Sequence, residues 1–270
     1  MDVETVQERG LVLLGCGRMG TAMLKGWLAR GLPARSVWVI DPSPSPWLAG
    51  LDGLNLNAPL PPSPAILLVA VKPQMMEAAL PDLRDLGGGG TLILSVAAGT
   101  PIARFEDAFG PGTPVVRAMP NTPAAIGRGI TALVANAQGQ AGLALAEALL
   151  SAVGQTLRLD DEAQMDAVTA VSGSGPAYVF HLIEALAAAG EAEGLPSDMA
   201  MRLARATVGG AGRLAEESDD TPQTLRRNVT SPGGTTAAAL EVLMDPEAGF
   251  PPLLRRAVAA AAARSRELAQ

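Results

Sequence analysis

The chain has 270 residues, with 27 acidic against 20 basic side chains, one His, one Cys and a formal net charge of −7. That balance argues against nucleic acid or an anionic membrane as the main partner, and a single Cys and a single His exclude a disulfide framework and any Cys/His metal cage, so no metal site is expected. At 48% hydrophobic and 17% charged residues the chain is not disordered and is long enough for one large domain or two modest ones. Its chemistry must lean on a cofactor, hydroxyls, carboxylates and backbone amides.

The stretch from Met1 to Arg9 is acidic and polar and precedes a short apolar run, the wrong order for a signal peptide. The longest apolar stretches, Ile66 to Val71 and Ala257 to Ala263, fall far short of the roughly 20 residues that span a bilayer. A soluble, cytoplasmic protein is expected. Leu11 to Leu14 reads as a strand ending in Gly15-Cys16-Gly17-Arg18-Met19-Gly20, and Thr21 to Arg30 reads as a helix with Met23, Leu24, Trp27 and Leu28 at helical spacing. Val37 to Ile40 is the next strand and ends at Asp41-Pro42, completing a βαβ unit. Further strands are expected at Ile66 to Val71, Thr91 to Val96, Val115 to Ala118, Ile130 to Val134 and Gln155 to Leu159. The alternation predicts an α/β, doubly wound, mostly parallel sheet over residues 1–160.

Beyond Asp160 the strand patterns stop. Asp161 to Ala192 reads as one long helix broken at Ser172-Gly173-Ser174-Gly175-Pro176, followed by helices at Ser197 to Glu217 (with Ser197 as N-cap), Leu225 to Thr230, Thr236 to Met244 and Leu253 to Leu268. Residues 161–270 therefore form an all-helical domain. Its heavy use of Ala costs little conformational entropy but buries little area per residue, so the helices are expected to be completed by another subunit.

Gly15-x-Gly17-x-x-Gly20, between a strand and a helix, has the context the dinucleotide fingerprint requires. Gly15 permits the tight turn, Gly17 lets backbone approach a pyrophosphate, Gly20 lets helix and strand pack, and the helix start with Arg18 and Met19 offers free N–H donors. Cys16 reads as a small residue that fits the turn. Asp41, about 20 residues past Gly20, stands where an acid accepts from the ribose 2′-OH of NAD, and no Lys or Arg follows before Lys72. The residues lean toward NADH, although Asp-Pro is also an ordinary strand-ending turn. Val71-Lys72-Pro73, Ala97-Ala98-Gly99 and Met119-Pro120-Asn121 end strands on the carboxyl edge of the sheet, where ligands of such folds bind. Lys72 is a proton donor or a surface charge, and Asn121 a partner for nicotinamide or ribose or a turn stabiliser.

Two stretches are more specific. Val171-Ser-Gly-Ser-Gly-Pro-Ala-Tyr178-Val-Phe180 and Val229-Thr-Ser-Pro-Gly-Gly-Thr-Thr236, with Ala70-Val-Lys-Pro-Gln74, Ser95-Val-Ala-Ala-Gly99 and Arg117-Ala-Met-Pro-Asn-Thr-Pro123, closely resemble the pyrroline-5-carboxylate reductase family from about Leu11 to Leu268. The resemblance implies a Rossmann domain followed by a helical dimerisation domain, a homodimer often assembled into a decamer, and reduction of the cyclic imine 1-pyrroline-5-carboxylate to L-proline with NADPH or NADH. It places the substrate carboxylate on Ser231, Gly233, Gly234, Thr235 and Thr236, at a helix start that suits an anion. It makes the Thr236 hydroxyl the partner of the ring nitrogen. Ser172 borders the substrate in the same reading, a structural kink being the rival, and His181 reads as a packing residue among apolar neighbours. The segment from Asp41 to Asn57 departs from the family in being short and Pro-rich, with little room for a helix after the second strand, and Asn57 matches a position near the adenosine ribose. Two other readings stand beside this one. A β-hydroxyacid-type dehydrogenase would carry a catalytic Lys in the long linking helix, and none occurs between Asp160 and Gln270. A non-catalytic dinucleotide-sensing protein would keep the fold without turnover.

Overall fold

The computed structural model describes residues 3–268. Its eight-stranded sheet runs β3-β2-β1-β4-β5-β6-β7-β8, with β1 at Leu11–Leu14, β2 at Val37–Ile40, β3 at Asn55–Leu56, β4 at Ile66–Val69, β5 at Leu92–Ser95, β6 at Val115–Met119, β7 at Gly129–Ala135 and β8 at Gly154–Arg158. The sheet begins with Leu11 in register with both Val37 and Ile66, and Ile66 with Leu92, all parallel. β1, β4 and β5 are buried throughout, which is why they read as unbroken apolar runs. Alternate residues feed the two faces. Leu11, Leu13, Ile66 and Leu68 join Met23, Trp27 and Leu149, while Val12, Leu14, Leu67 and Val69 join Phe105, Phe109 and Val115.

The expected strands all form, with ends moved by one or two residues. Two of them run the other way: β7 pairs antiparallel with β6, Val116 facing Ala135, and β8 follows β7 in parallel. No crossover helix separates β6 from β7, only a 3-10 segment at Thr122–Ile126, so the chain has no route back to the starting edge. Five helices accompany this sheet: α1 at Val3–Arg9, α2 at Arg18–Ala29, the one-turn α3 at Pro46–Ala49, α4 at Met76–Ala79 and α5 at Ile102–Phe109; α6 at Leu143–Leu150 makes the β7–β8 crossover. α1 lies where only polar chain was expected, and its Arg9 guanidinium donates to the carbonyls of Ser63, Pro64 and Gly90. The Pro-rich stretch after β2 holds only α3, capped by Ser45 Oγ accepting from Leu48 N at 3.2 Å, before the edge strand β3 that the sequence did not signal.

After β8 the chain takes a 3-10 turn at Glu162–Gln164 with an Asp161 capping box, then α7 at Met165–Val168 and a π-helical turn at Thr169–Gly173. α8 at Gly175–Ala192, α9 at Ser197–Glu217, α10 at Pro222–Asn228, α11 at Thr235–Leu243 and α12 at Phe250–Leu268 follow. The single broken helix expected over 161–192 is therefore several pieces. Pro176 sits in the first turn of α8, where its missing N–H costs nothing, and the break itself is the π turn.

Contacts divide the described chain into two units, residues 3–173 with 262–268, and residues 174–261. The division falls later than the 160/161 boundary expected from the loss of strand patterns. Met165 is buried in the second sheet-face cluster, Ser265 Oγ donates to Asp166 Oδ1 at 2.6 Å, and Leu268 lies against Gly99. In the helical unit α8 and α9 pack through Ala187, Ala200 and Ala204, with Ile183 beside them. Val179, Phe180, Leu182, Leu186, Leu203 and Leu214 stay exposed on the single chain. Two expectations fail here. Ser197 is not the N-cap; Pro196 is, and the Ser197 hydroxyl donates to Glu191 at 2.7 Å. His181 is not packed either, since its side chain is 82% exposed and its Nδ1 lies 3.1 Å from Glu184 Oε2.

Candidate active site

The glycine turn is built by its neighbours. Gly15 has φ +85°, a conformation that L side chains rarely adopt, and a Cβ there would meet Val71 Cγ1 at 2.7 Å. A Cβ on Gly20 would meet Gly15 O at 2.5 Å, so this position serves the packing of helix on strand. A Cβ on Gly17 would meet no atom within 4 Å, so the backbone there faces open space. Gly17 is also the N-cap of α2, which starts at Arg18 rather than Thr21 and carries no side-chain cap. Its first amides are left for an anion, which is what a pyrophosphate needs.

The end of β2 clasps this turn. Cys16 N donates to Asp41 Oδ2 at 2.9 Å and Ser43 N to Asp41 Oδ1 at 2.9 Å. Asn57, with φ +49°, accepts from Asp41 N through Oδ1 and donates from Nδ2 to Asp41 O, both at 2.9 Å. Asn57 therefore spends its side chain on the Asp41 backbone. Burial pushes the Cys16 thiol above its ordinary pKa; its contact with Thr21 opposes the shift and the Asp41 charge adds to it.

A cleft of about 880 Å³ opens over the turn. It gathers Gly15, Gly17, Arg18, Met19, Asp41, Val71 and Lys72 of the expected nucleotide residues. Thr21, Lys25, Ser43, Trp47 and Thr122 line it too. Thr21 and Lys25 were legible as the i+4 and i+8 neighbours of Gly17 on the helix face above the turn; Trp47, reached by Lys25 Nζ at 4.6 Å from its ring centroid, had no local signal. Open backbone at Gly17, free amides at α2 and an acceptor at Asp41 together fit a dinucleotide. Gly20, Asn57, Pro73, Ala97, Ala98 and Asn121 do not line the cleft. Ala97 is buried, and Asn121, 9% exposed, accepts the Ile130 N–H on its Oδ1 at 3.0 Å and so ties β6 to β7.

The other expected residues lie elsewhere in the chain. Ser172, in the π turn, donates from Oγ to Val168 O at 3.1 Å. In the helical unit the loop before α11 has Gly234 N donating to Ser231 O at 3.0 Å and Gly233 at φ +69°. Gly234 is the N-cap of α11 without a side-chain hydrogen bond, and Thr235 and Thr236 occupy the first turn. Ser231, Gly233 and Thr235 are exposed, Gly234 and Thr236 half-buried. The loop thus presents unpaired amides and hydroxyls in one place, the donor set a carboxylate requires.

Known proteins share this architecture. Residues 162–268 match the family model for pyrroline-5-carboxylate reductase dimerisation, so the helical half is a self-association unit, in keeping with its exposed apolar side chains. Residues 10–99 match the model for NADP oxidoreductase, coenzyme F420-dependent. The chain is 44% identical over 266 residues to the pyrroline-5-carboxylate reductase of Pseudomonas aeruginosa, covering 96% of this chain and 97% of that one. It is similar to the solved pyrroline-5-carboxylate reductase of Coxiella burnetii, with a TM-score of 0.90 at 32% identity over 97% of this chain and 99% of that one. The Plasmodium falciparum pyrroline carboxylate reductase, solved with NADP bound, gives a TM-score of 0.81 at 28% identity over 98% and 99%. A likeness this even along both chains leaves no part unmatched in which a different fold would fit. The chain belongs to the pyrroline-5-carboxylate reductase family and is an NAD(P)H-dependent oxidoreductase.

Proposed function

We propose that this chain reduces 1-pyrroline-5-carboxylate to L-proline with a hydride from NADPH or NADH, the last step of proline biosynthesis, and that Thr236 is its catalytic hydroxyl. Family membership favours this reaction over β-hydroxyacid oxidation, and the absence of Lys from Asp160 onward agrees. The observation that carries the site reading is the uncapped start of α11, with Ser231, Gly233, Gly234, Thr235 and Thr236 around it. A substrate carboxylate there gains roughly 0.3–2 kcal/mol from the helix terminus, enough to orient the ring. The Thr236 hydroxyl is too weak an acid to deliver a full proton unaided, so it holds the ring nitrogen and relays from water. Ser172 is the further residue assigned to the substrate.

The bound dihydronicotinamide supplies the hydride, and a protonated imine already accepts one without a metal or strong base. In the other half, Gly15, Gly17, Arg18 and Met19 would hold the pyrophosphate with Gly20 packing the helix onto the turn, Asp41 backed by Asn57 would take the adenosine ribose, and Val71, Lys72, Pro73, Ala97, Ala98 and Asn121 would serve the nicotinamide half. By role, residues 1–160 carry the nucleotide site and residues 161–270 the substrate and dimerisation functions, although 161–173 and 262–268 pack with the sheet. The working unit is a cytoplasmic homodimer that assembles further into a decamer. Among the described residues no helix is long and apolar enough to cross a membrane.

Oxidation of NADPH and NADH in the presence of 1-pyrroline-5-carboxylate tests the reading. Thr236→Ala should lower kcat by about 10–100-fold, the worth of one hydrogen bond to a charged group, with nucleotide affinity unchanged. Tight nucleotide binding without turnover would support the sensing alternative, and unaltered kinetics in the variant would remove Thr236 from the mechanism.

A further inference from the structure

We infer that Asp41 makes this chain prefer NADH, because its carboxylate is locked by backbone amides in the place a 2′-phosphate would have to occupy. The inference rests on the nucleotide-binding reading of the cleft and goes beyond it to the choice between the two nucleotides. Both carboxylate oxygens are anchored, Oδ2 by Cys16 N and Oδ1 by Ser43 N, each at 2.9 Å. The main chain of Asp41 is held in turn by Asn57 through two bonds of 2.9 Å. A carboxylate fixed in this way does not rotate aside for a second anion. Each oxygen keeps a further lone pair, so the group still accepts from ribose hydroxyls, and it has no proton to offer a phosphate.

The cations of the cleft do not compensate. From Pro42 to Val71 there is no Lys or Arg. Arg18 opens α2 at the pyrophosphate end. Lys25 stands two turns further along that helix, about 10 Å away at 1.5 Å per residue, with its ammonium over Trp47. Lys72 follows β4, two strand positions from β2, a lateral offset of about 10 Å. Ser43 and Ser45 both line the cleft, Ser45 Oγ also accepting from Leu48 N, and two neutral hydroxyls bring no charge to offset a phosphate. A phosphomonoester with a charge of about −1.5 to −2 would therefore meet a fixed like charge without a guanidinium partner.

The test is calorimetric titration of the full chain with NADH and, separately, NADPH, without imine. Wild type should bind NADH at least about tenfold more tightly. Asp41→Ser should shift the ratio of the two affinities toward NADPH by about tenfold or more. Because Asp41 also clasps the glycine turn, Ser43→Arg provides a variant that keeps the carboxylate and adds a cation; it too should shift the ratio toward NADPH. Equal or tighter NADPH binding by wild type, or a ratio unmoved in folded Ser43→Arg, would overturn the inference while leaving the nucleotide site intact. Failure of wild type to bind either nucleotide would overturn the site reading as well.

Discussion

Arg117 Nη1 donates to Glu162 Oε1 at 2.7 Å, and the same oxygen accepts Ile102 N at 2.9 Å. One carboxylate thereby pairs a guanidinium that is 6% exposed and satisfies the first amide of α5. Glu162→Ala leaves that cation and that amide without their partner. Removing one member of a buried pair costs about 3–5 kcal/mol, and since Glu162 is itself partly exposed the loss should be nearer 2–3 kcal/mol. Glu162→Gln keeps the acceptor for Ile102 and should lose less. Urea denaturation should show a lower midpoint with an unchanged m-value; equal midpoints for Ala and wild type would show that water replaces the carboxylate at no cost.

The glycines of the fingerprint separate binding from folding. Gly17→Ala has an ordinary backbone φ of −69° and no neighbour in reach of its Cβ, so the protein should fold with at most about 1 kcal/mol lost to the poorer N-cap. Its methyl group would stand where backbone must approach a pyrophosphate, and nucleotide affinity should fall about tenfold or more. Gly20→Ala drives a Cβ to 2.5 Å from Gly15 O and should cost about 1–3 kcal/mol in stability as well as nucleotide binding. Thermal unfolding beside nucleotide titration distinguishes the two.

Cys16 should be a slow thiol. Burial holds its pKa above the ordinary value of 9.0, so its thiolate fraction near neutral pH is below that of a free cysteine. Reaction with an aromatic disulfide reagent should be much slower in the folded chain than after denaturation. A folded-state rate matching that of free cysteine would mean that the turn opens readily.

A pH effect follows from the edge strand. Arg158 Nε and Nη2 donate to the two oxygens of Glu147, at 2.8 and 2.5 Å. This pairing holds the Glu147 carboxyl below its ordinary value of 4.5. A carboxylate with a depressed folded pKa contributes stability that is present above 4.5 and lost as pH falls through the folded value. Arg158→Met should therefore lower the Tm slightly at neutral pH, with the gap from wild type closing in acid. A gap independent of pH would assign the effect to packing of the Arg158 stem.

The amino-acid order by itself established the alternation of strand and helix, the glycine turn, and the Ser231–Thr236 loop before a helix. All three are local: apolar periodicity and the backbone freedom of glycine act over a few residues, and neighbours along the chain carry the information. Tertiary structure decided the reversal of β7, the edge strand β3, the anchoring of Arg9 and the placement of residues 161–173 with the sheet. It also decided that Asn57 serves Asp41 and that the Asp41 carboxylate turns onto the glycine turn. These depend on partners many residues away, Arg9 with Gly90 and Glu162 with both Ile102 and Arg117, and a pairing across such a distance leaves no periodic trace in the sequence.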